Sequence, residues 1–146
     1  MQTVVDAVFS VDTHSRCLLP LFVSPVEAGF PSPADDYLDQ LLDLNEHLIK
    51  NPPATFLVRV RGDSMVDAGI KSGDMLVVDK SLEPADGDIV IATVDGAFTV
   101  KRYRTTEGRL RLVAEGHGHR DIEFDNVDSA EIWGIVIHVI SSLRQR

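Results

Sequence analysis

Cysteine is almost missing from this chain. Among 146 residues Cys17 stands alone, which excludes an internal disulfide and fits a reducing compartment. Positive charge is also scarce. Fourteen Lys and Arg stand against 23 Asp and Glu, and the formal net charge of −9 argues against broad, non-specific binding to nucleic-acid phosphates. A role near DNA is therefore expected to run through protein partners, without direct sequence-specific binding. Long apolar runs are absent too: none approaches the roughly 18–20 residues that span a bilayer. Near the start Thr3–Phe9 carries Asp6, and no basic stretch leads into an apolar one, so a signal peptide is not expected. These absences lead to the expectation of a soluble, acidic, cytoplasmic protein with no membrane contact. His117 and His119 flank Gly118 with no third ligand nearby, so neither a metal nor another cofactor is expected.

What is present suffices for one core, since 44% of the residues are hydrophobic. Residues 1–28 read as an extended leader arm, with short edge strands at Val4–Phe9 and Cys17–Val23 and with Pro20 and Pro25 barring a helix. The Gly- and Pro-rich run Ala28-Gly29-Phe30-Pro31-Ser32-Pro33 marks a boundary with exposed backbone. Residues 29–53 read as a linker with one or two short helices. Ser32 before Pro33 makes one N-cap, Leu38, Leu41 and Leu42 have helical spacing, Asp43 with Glu46 makes a second capping box, and Asn51-Pro52-Pro53 ends the run.

From Thr55 onward the pattern is β. Strands are predicted at Thr55–Arg61, Met75–Asp79, Asp88–Val94, Phe98–Arg104, Arg109–Ala114, Ile122–Phe124 and Ile132–Ile140, with Gly-containing turns between them. Asp95-Gly96 predicts a two-residue hairpin, and the apolar Ile132–Ile137 predicts a central strand buried on both faces. The expected fold is mainly β, a compact antiparallel domain over residues 54–146 preceded by the arm and the short helices.

Ser64 follows Gly62-Asp63 at a strand end, where a hydroxyl can point out of a sheet, and Lys101 lies 37 residues on in another β run. Serine and lysine can form a nucleophile and base without histidine or metal. Singly, each has a plainer reading: Ser64 caps a helical turn over Met65–Ala68, and Lys101 is a surface residue beside Arg102 and Arg104. As a base, Lys101 must be neutral, so its pKa must fall well below about 10.4. Strand alternation puts Thr99 and Ala97 on its side, and Val100 and Phe98 on the other. Its desolvation must come from elsewhere, from Met65 or from the leader arm.

Gly62-Asp63-Ser64-Met65, Ser72-Gly73-Asp74, Gly87-Asp88-Ile89-Val90 and Phe98-Thr99-Val100-Lys101-Arg102, in that order and spacing, resemble the LexA/UmuD group of self-cleaving serine–lysine proteins. More broadly they are similar to the signal-peptidase clan. Phe30-Pro31-Ser32-Pro33-Ala34, Asp43-Leu44-Asn45 and the tail Trp133–Val139 narrow the likeness to the UmuD branch. The resemblance implies Ser64 as nucleophile, Lys101 as base, backbone N–H groups of Asp63 and Ser64 as oxyanion donors, and Ala28-Gly29 as the bond cut. It implies homodimers, stimulation by the RecA–single-stranded-DNA filament in the SOS response, and partnership with a UmuC-type translesion polymerase. Leu18-Leu19-Pro20-Leu21-Phe22 resembles peptides that dock on the sliding clamp, although such a run also packs an arm onto its own domain. The 28 residues before Ala28-Gly29's cut do not read as a helix-turn-helix, so a repressor is not expected. Removing them takes the formal charge only from −9 to −7, since Arg16 stands against Asp6, Asp12 and Glu27. The alternative is a catalytically silent β domain that dimerises and docks repair partners.

Overall fold

A computed structural model of the chain describes residues 1–22 and 38–144. Ala28-Gly29 and the Ser32-Pro33 cap lie outside the described residues. The chain divides into two compact units, one of Met1–Val11 with Pro53–Arg146 and one of Asp12–Pro52.

In the larger unit the strands are β1 (Val4–Ser10), β4 (Thr55–Arg61), β5 (Met75–Asp79), β6 (Ile89–Val94), β7 (Ala97–Thr106), β8 (Arg109–Val113), β9 (Ile122–Phe124) and β10 (Glu131–Ile140). They form one antiparallel sheet in the order β1-β4-β5-β10-β6-β7-β8-β9. A further pairing of Val4 with Thr99 joins β1 to β7. Six strands are thereby closed into a barrel, which leaves no free edge among them. The expectation of a mainly β domain is met.

The turns follow from local chemistry. Asp95 and Gly96 both have positive φ, 50° and 78°, and join β6 to β7 as the predicted hairpin. Glu107 and Gly108 do the same between β7 and β8, with φ of 52° and 78°. Inward residues of β4, β5, β6 and β7 build the main core, where Val58, Val60, Leu76, Val78, Ile91 and Val100 meet Met65 and Ile70. A second cluster under β8 gathers Val90, Tyr103, Leu110, Leu112 and Ile135. β10 is central, between β5 and β6, but it is not buried on both faces. Only Gly134 and Ile135 are fully enclosed, because a barrel strand turns one face outward. Trp133, half-buried against the main core, stacks 5.5 Å from Phe56 and 5.6 Å from Phe98, with the Lys80 ammonium 4.8 Å from its ring.

In the smaller unit β2 (Leu18–Phe22) pairs antiparallel with β3 (Leu38–Asp43), and α1 (Leu44–Leu48) follows. Leu38–Asp43 is therefore a strand where a helix is predicted. Pairing with β2 satisfies its backbone, and a leucine spacing that suits a helix is overridden by that ladder. Pro20 is tolerated because, among the described residues, β2 pairs on one side only, with β3. The helix starts where expected: the Asp43 carboxylate accepts from Asn45 N–H at 3.1 Å, and also from Cys17 N–H at 3.1 Å. No helix among the described residues is long and apolar enough to cross a membrane.

Candidate active site

β4 ends at Arg61, and the chain then turns sharply through Gly62, whose φ of +109° is open to glycine and costly for other residues. A Cβ there would also collide with the Gln2 carbonyl and lie 2.8 Å from Thr3 Cα. The next residues, Asp63-Ser64-Met65, lead into a single 3-10 turn over Val66–Ala68 that stops at Gly69, φ +88°. Met65 is wholly buried and ties this turn to the core, while its carbonyl accepts from Ala68 N–H at 3.0 Å and Ile70 N–H at 3.2 Å. Ser64 is thus held rigidly at a strand end, and it too is fully buried.

Lys101 lies on β7, paired with Val90 of β6, and is 0% exposed. Burial holds its ammonium below the usual lysine range, and Asp121 only partly opposes this. Gln2, near the start of the chain, meets Lys101, its side-chain carbonyl accepting from Nζ. Its neighbour Thr3 donates its backbone N–H to Ser64 Oγ at 2.8 Å and accepts from Val100 N–H at 3.0 Å. The Met1 carbonyl accepts from Asp63 N–H at 3.0 Å. Ser64, Lys101 and one of the two expected oxyanion donors are therefore gathered around three consecutive residues at the start of the chain. Thr3 Oγ1 is buried in this contact without a hydrogen-bond partner, which ordinarily costs about 1–3 kcal/mol.

A loop behind the serine, overlooked as a site by sequence reasoning, fixes the turn from the other side. A Cβ on Gly116 would stand 2.6 Å from the Asp63 carbonyl oxygen and 3.0 Å from Ser64 Cα, so this glycine lets the loop lie against the Ser64 backbone. The Glu115 carbonyl accepts from Asp67 N–H at 2.7 Å, and the Glu115 carboxylate meets Arg102 Nε at 2.5 Å. Arg102 also donates to the Gly87 carbonyl at 2.8 Å. This chain of contacts couples the serine turn to the strand that bears Lys101. His119 Nε2 lies 3.2 Å from Asp63 Oδ1. The Asp63 carboxyl is held below its ordinary range, first by the Met1 ammonium at 2.7 Å and then by His119. In the sequence this loop shows only as Glu115-Gly116-His117-Gly118-His119, which invites a metal reading. Among the described residues no group of three or more His, Cys, Asp and Glu is placed to hold a metal.

A closed antiparallel barrel with a rigid serine turn at one strand end is the LexA/UmuD architecture. Residues 20–137 match the Peptidase S24-like family, and the chain belongs to that family of serine peptidases. It is 59% identical over 125 residues to Protein SamA of Salmonella typhimurium LT2, covering 86% of each chain. Protein ImpA of Escherichia coli is 46% identical over 127 residues, again 86% of each. To the LexA repressor of Shewanella denitrificans the identity is 39% over 130 residues, 88% of this chain and 62% of the repressor. The likeness to the LexA/UmuD group is borne out, and these relatives set the chain within the UmuD-like branch of SOS mutagenesis.

Proposed function

We propose that the protein is an autoprotease that cuts its own Ala28–Gly29 bond with Ser64 and Lys101. The observation that carries this reading is the burial of both side chains against one pair of leader residues, Gln2 and Thr3. A serine and a lysine with separate structural duties have no reason to share such a lid. Once neutral, Lys101 takes the Ser64 hydroxyl proton as Oγ bonds to the Ala28 carbonyl carbon. The oxyanion faces the backbone N–H groups of Asp63 and Ser64, each donor worth a few kcal/mol if preorganised. Lys101 then gives the proton to the Gly29 nitrogen as the C–N bond breaks, and water releases the acyl group from Ser64. Small residues on both sides of the bond suit a narrow β-lined cleft. A tether supplies an effective concentration in the millimolar range, so weak binding of the segment suffices.

The product Gly29–Arg146 would serve as the accessory subunit of a UmuC-type translesion polymerase, both forms would be homodimers, and RecA filaments on single-stranded DNA would promote the cut. The division into a removable leader over 1–28, a linker over 29–53 and a β domain over 54–146 belongs to this reading. The Leu18–Phe22 run would dock on the sliding clamp, a reading supported by Leu18 and Leu19, each 44% exposed. The test is incubation of purified protein at rising pH with the fragments weighed. A piece beginning at Gly29 should appear, and should be lost in Ser64→Ala and Lys101→Ala. No cut in the wild type, even with activated filament, leaves the silent docking domain as the better account.

A further inference from the structure

The slot between β4 and β7 is the feature of the barrel that none of the preceding readings uses. β1 fills it, pairing Val4 with Arg61 on one side and with Thr99 on the other. We propose that this slot is a seat for an extended peptide strand, held here by the chain's own residues Met1–Ser10, and that the Ala28–Gly29 segment reaches Ser64 only by exchange with them. The proposal rests on the autoproteolytic reading above and adds the step that must precede chemistry.

Three observations carry it. First, the seated residues use the polar groups that the reaction needs: Ser64 Oγ takes the Thr3 N–H, Lys101 Nζ takes the Gln2 carboxamide, and Asp63 N–H takes the Met1 carbonyl. Second, the pose is one that cannot be cut. An amide N–H faces Oγ at 2.8 Å where attack requires a carbonyl carbon at about 3–3.5 Å, so a substrate strand and Thr3 cannot be seated together. Third, the occupant fits imperfectly, since the Thr3 hydroxyl is buried there unpaired. A permanent strand gains nothing from such a group, whereas a strand that must leave is made easier to displace by it. Main-chain pairing on both sides also defines the ligand class as any extended segment with small residues beside Ser64.

A disulfide can lock the seat. Val100 N–H bonds to the Thr3 carbonyl, which makes Val4 and Thr99 a non-hydrogen-bonded pair, the closer of the two antiparallel geometries. In full-length protein with Cys17→Ser, Val4→Cys and Thr99→Cys should therefore join on oxidation. Two readouts are taken at alkaline pH, release of the fragment starting at Gly29 and modification of Lys101 by an amine-acylating reagent, located by mass spectrometry. The oxidised form should show neither, and reduction should restore both. Equal modification of Lys101 in the two forms, or cleavage that continues in the oxidised form, overturns the seat. If neither form cleaves while Lys101 is still shielded only by the disulfide, the seat stands and the autoprotease reading falls. Thr3→Val, which removes the unpaired hydroxyl at constant shape, should tighten the occupant and slow cleavage about tenfold. A Thr3→Val rate equal to or above wild type contradicts the exchange.

Discussion

Thr3 and Ser64, 61 residues apart in sequence, share a hydrogen bond in which the threonine backbone N–H donates to the serine Oγ at 2.8 Å. The bond covers the proposed nucleophile, and the adjacent pairing of Val4 with Thr99 closes the barrel. It also brings the first residues of the chain within reach of Lys101, whose ammonium meets the adjacent Gln2. In the proposed autoprotease, a desolvated lysine and a capped serine would keep the reactive pair in place while access is withheld.

Lys101 should govern both rate and stability through pH. Its folded pKa lies below the unfolded 10.5 because burial disfavours the ammonium. Between those two pKa values the unfolded chain binds more protons, so stability rises with pH across that window and is lower beneath it. Cleavage should climb as pH passes through the folded pKa, with its inflection below 10.5. Lys101→Met should abolish cleavage yet stabilise the fold near neutrality by on the order of 1 kcal/mol, with the gain fading toward alkaline pH. Urea denaturation at several pH values measures this.

Gly116→Ala tests the loop behind the serine. The new methyl would sit 2.6 Å from the Asp63 carbonyl oxygen and 2.9 Å from the Ser64 carbonyl carbon, against backbone that cannot swing aside. Overpacking of this kind costs about 1–3 kcal/mol. Displacement of Ser64 should lower the self-cleavage rate about 100-fold while the far-UV circular dichroism of the β domain is retained. An unaltered rate would show that the loop does not position the serine.

Glu115→Gln addresses the coupling between serine turn and lysine strand. The change keeps the shape but weakens the contact to Arg102 Nε, which is partly shielded from solvent. A loss of about 0.5–1 kcal/mol in stability is expected. The self-cleavage rate should fall by more than this stability loss explains, and salt should reproduce part of the effect in the wild type but not in the variant.

Asp43→Ala removes the carboxylate that caps α1 and also accepts from Cys17 N–H. Loss of an N-cap costs about 1–2 kcal/mol. Hydrogen exchange at the Asn45 and Cys17 amides should quicken, while exchange at Val58 and Val100 in the barrel core should not.

The sequence was most readable where a pattern is local. Alternation marked Thr55–Arg61 to the residue, and Asp95-Gly96 declared its hairpin through the positive φ that both residues adopt. Leu38–Asp43 misled because its leucines fit a helix, while the strand that captures it, Leu18–Phe22, lies some twenty residues upstream. Ser64 and Lys101 were legible as a pair because their flanking blocks are distinctive. Gln2, Thr3, Glu115 and Gly116 were not. Their roles exist only through contacts across the barrel, and nothing in their own neighbourhoods signals a partner. The sequence left Met65 or the leader arm as the source of Lys101's burial, and in three dimensions its Nζ meets Gln2.

The central claim is that Ser64 and Lys101 cut the chain's own Ala28–Gly29 bond. Mass spectrometry of purified protein incubated across alkaline pH tests it most directly. The account predicts a fragment beginning at Gly29 whose rate rises with deprotonation of Lys101 and vanishes in both Ser64→Ala and Lys101→Ala. A fragment that persists in Ser64→Ala, or an intact wild-type chain under every condition including activated filament, would contradict it.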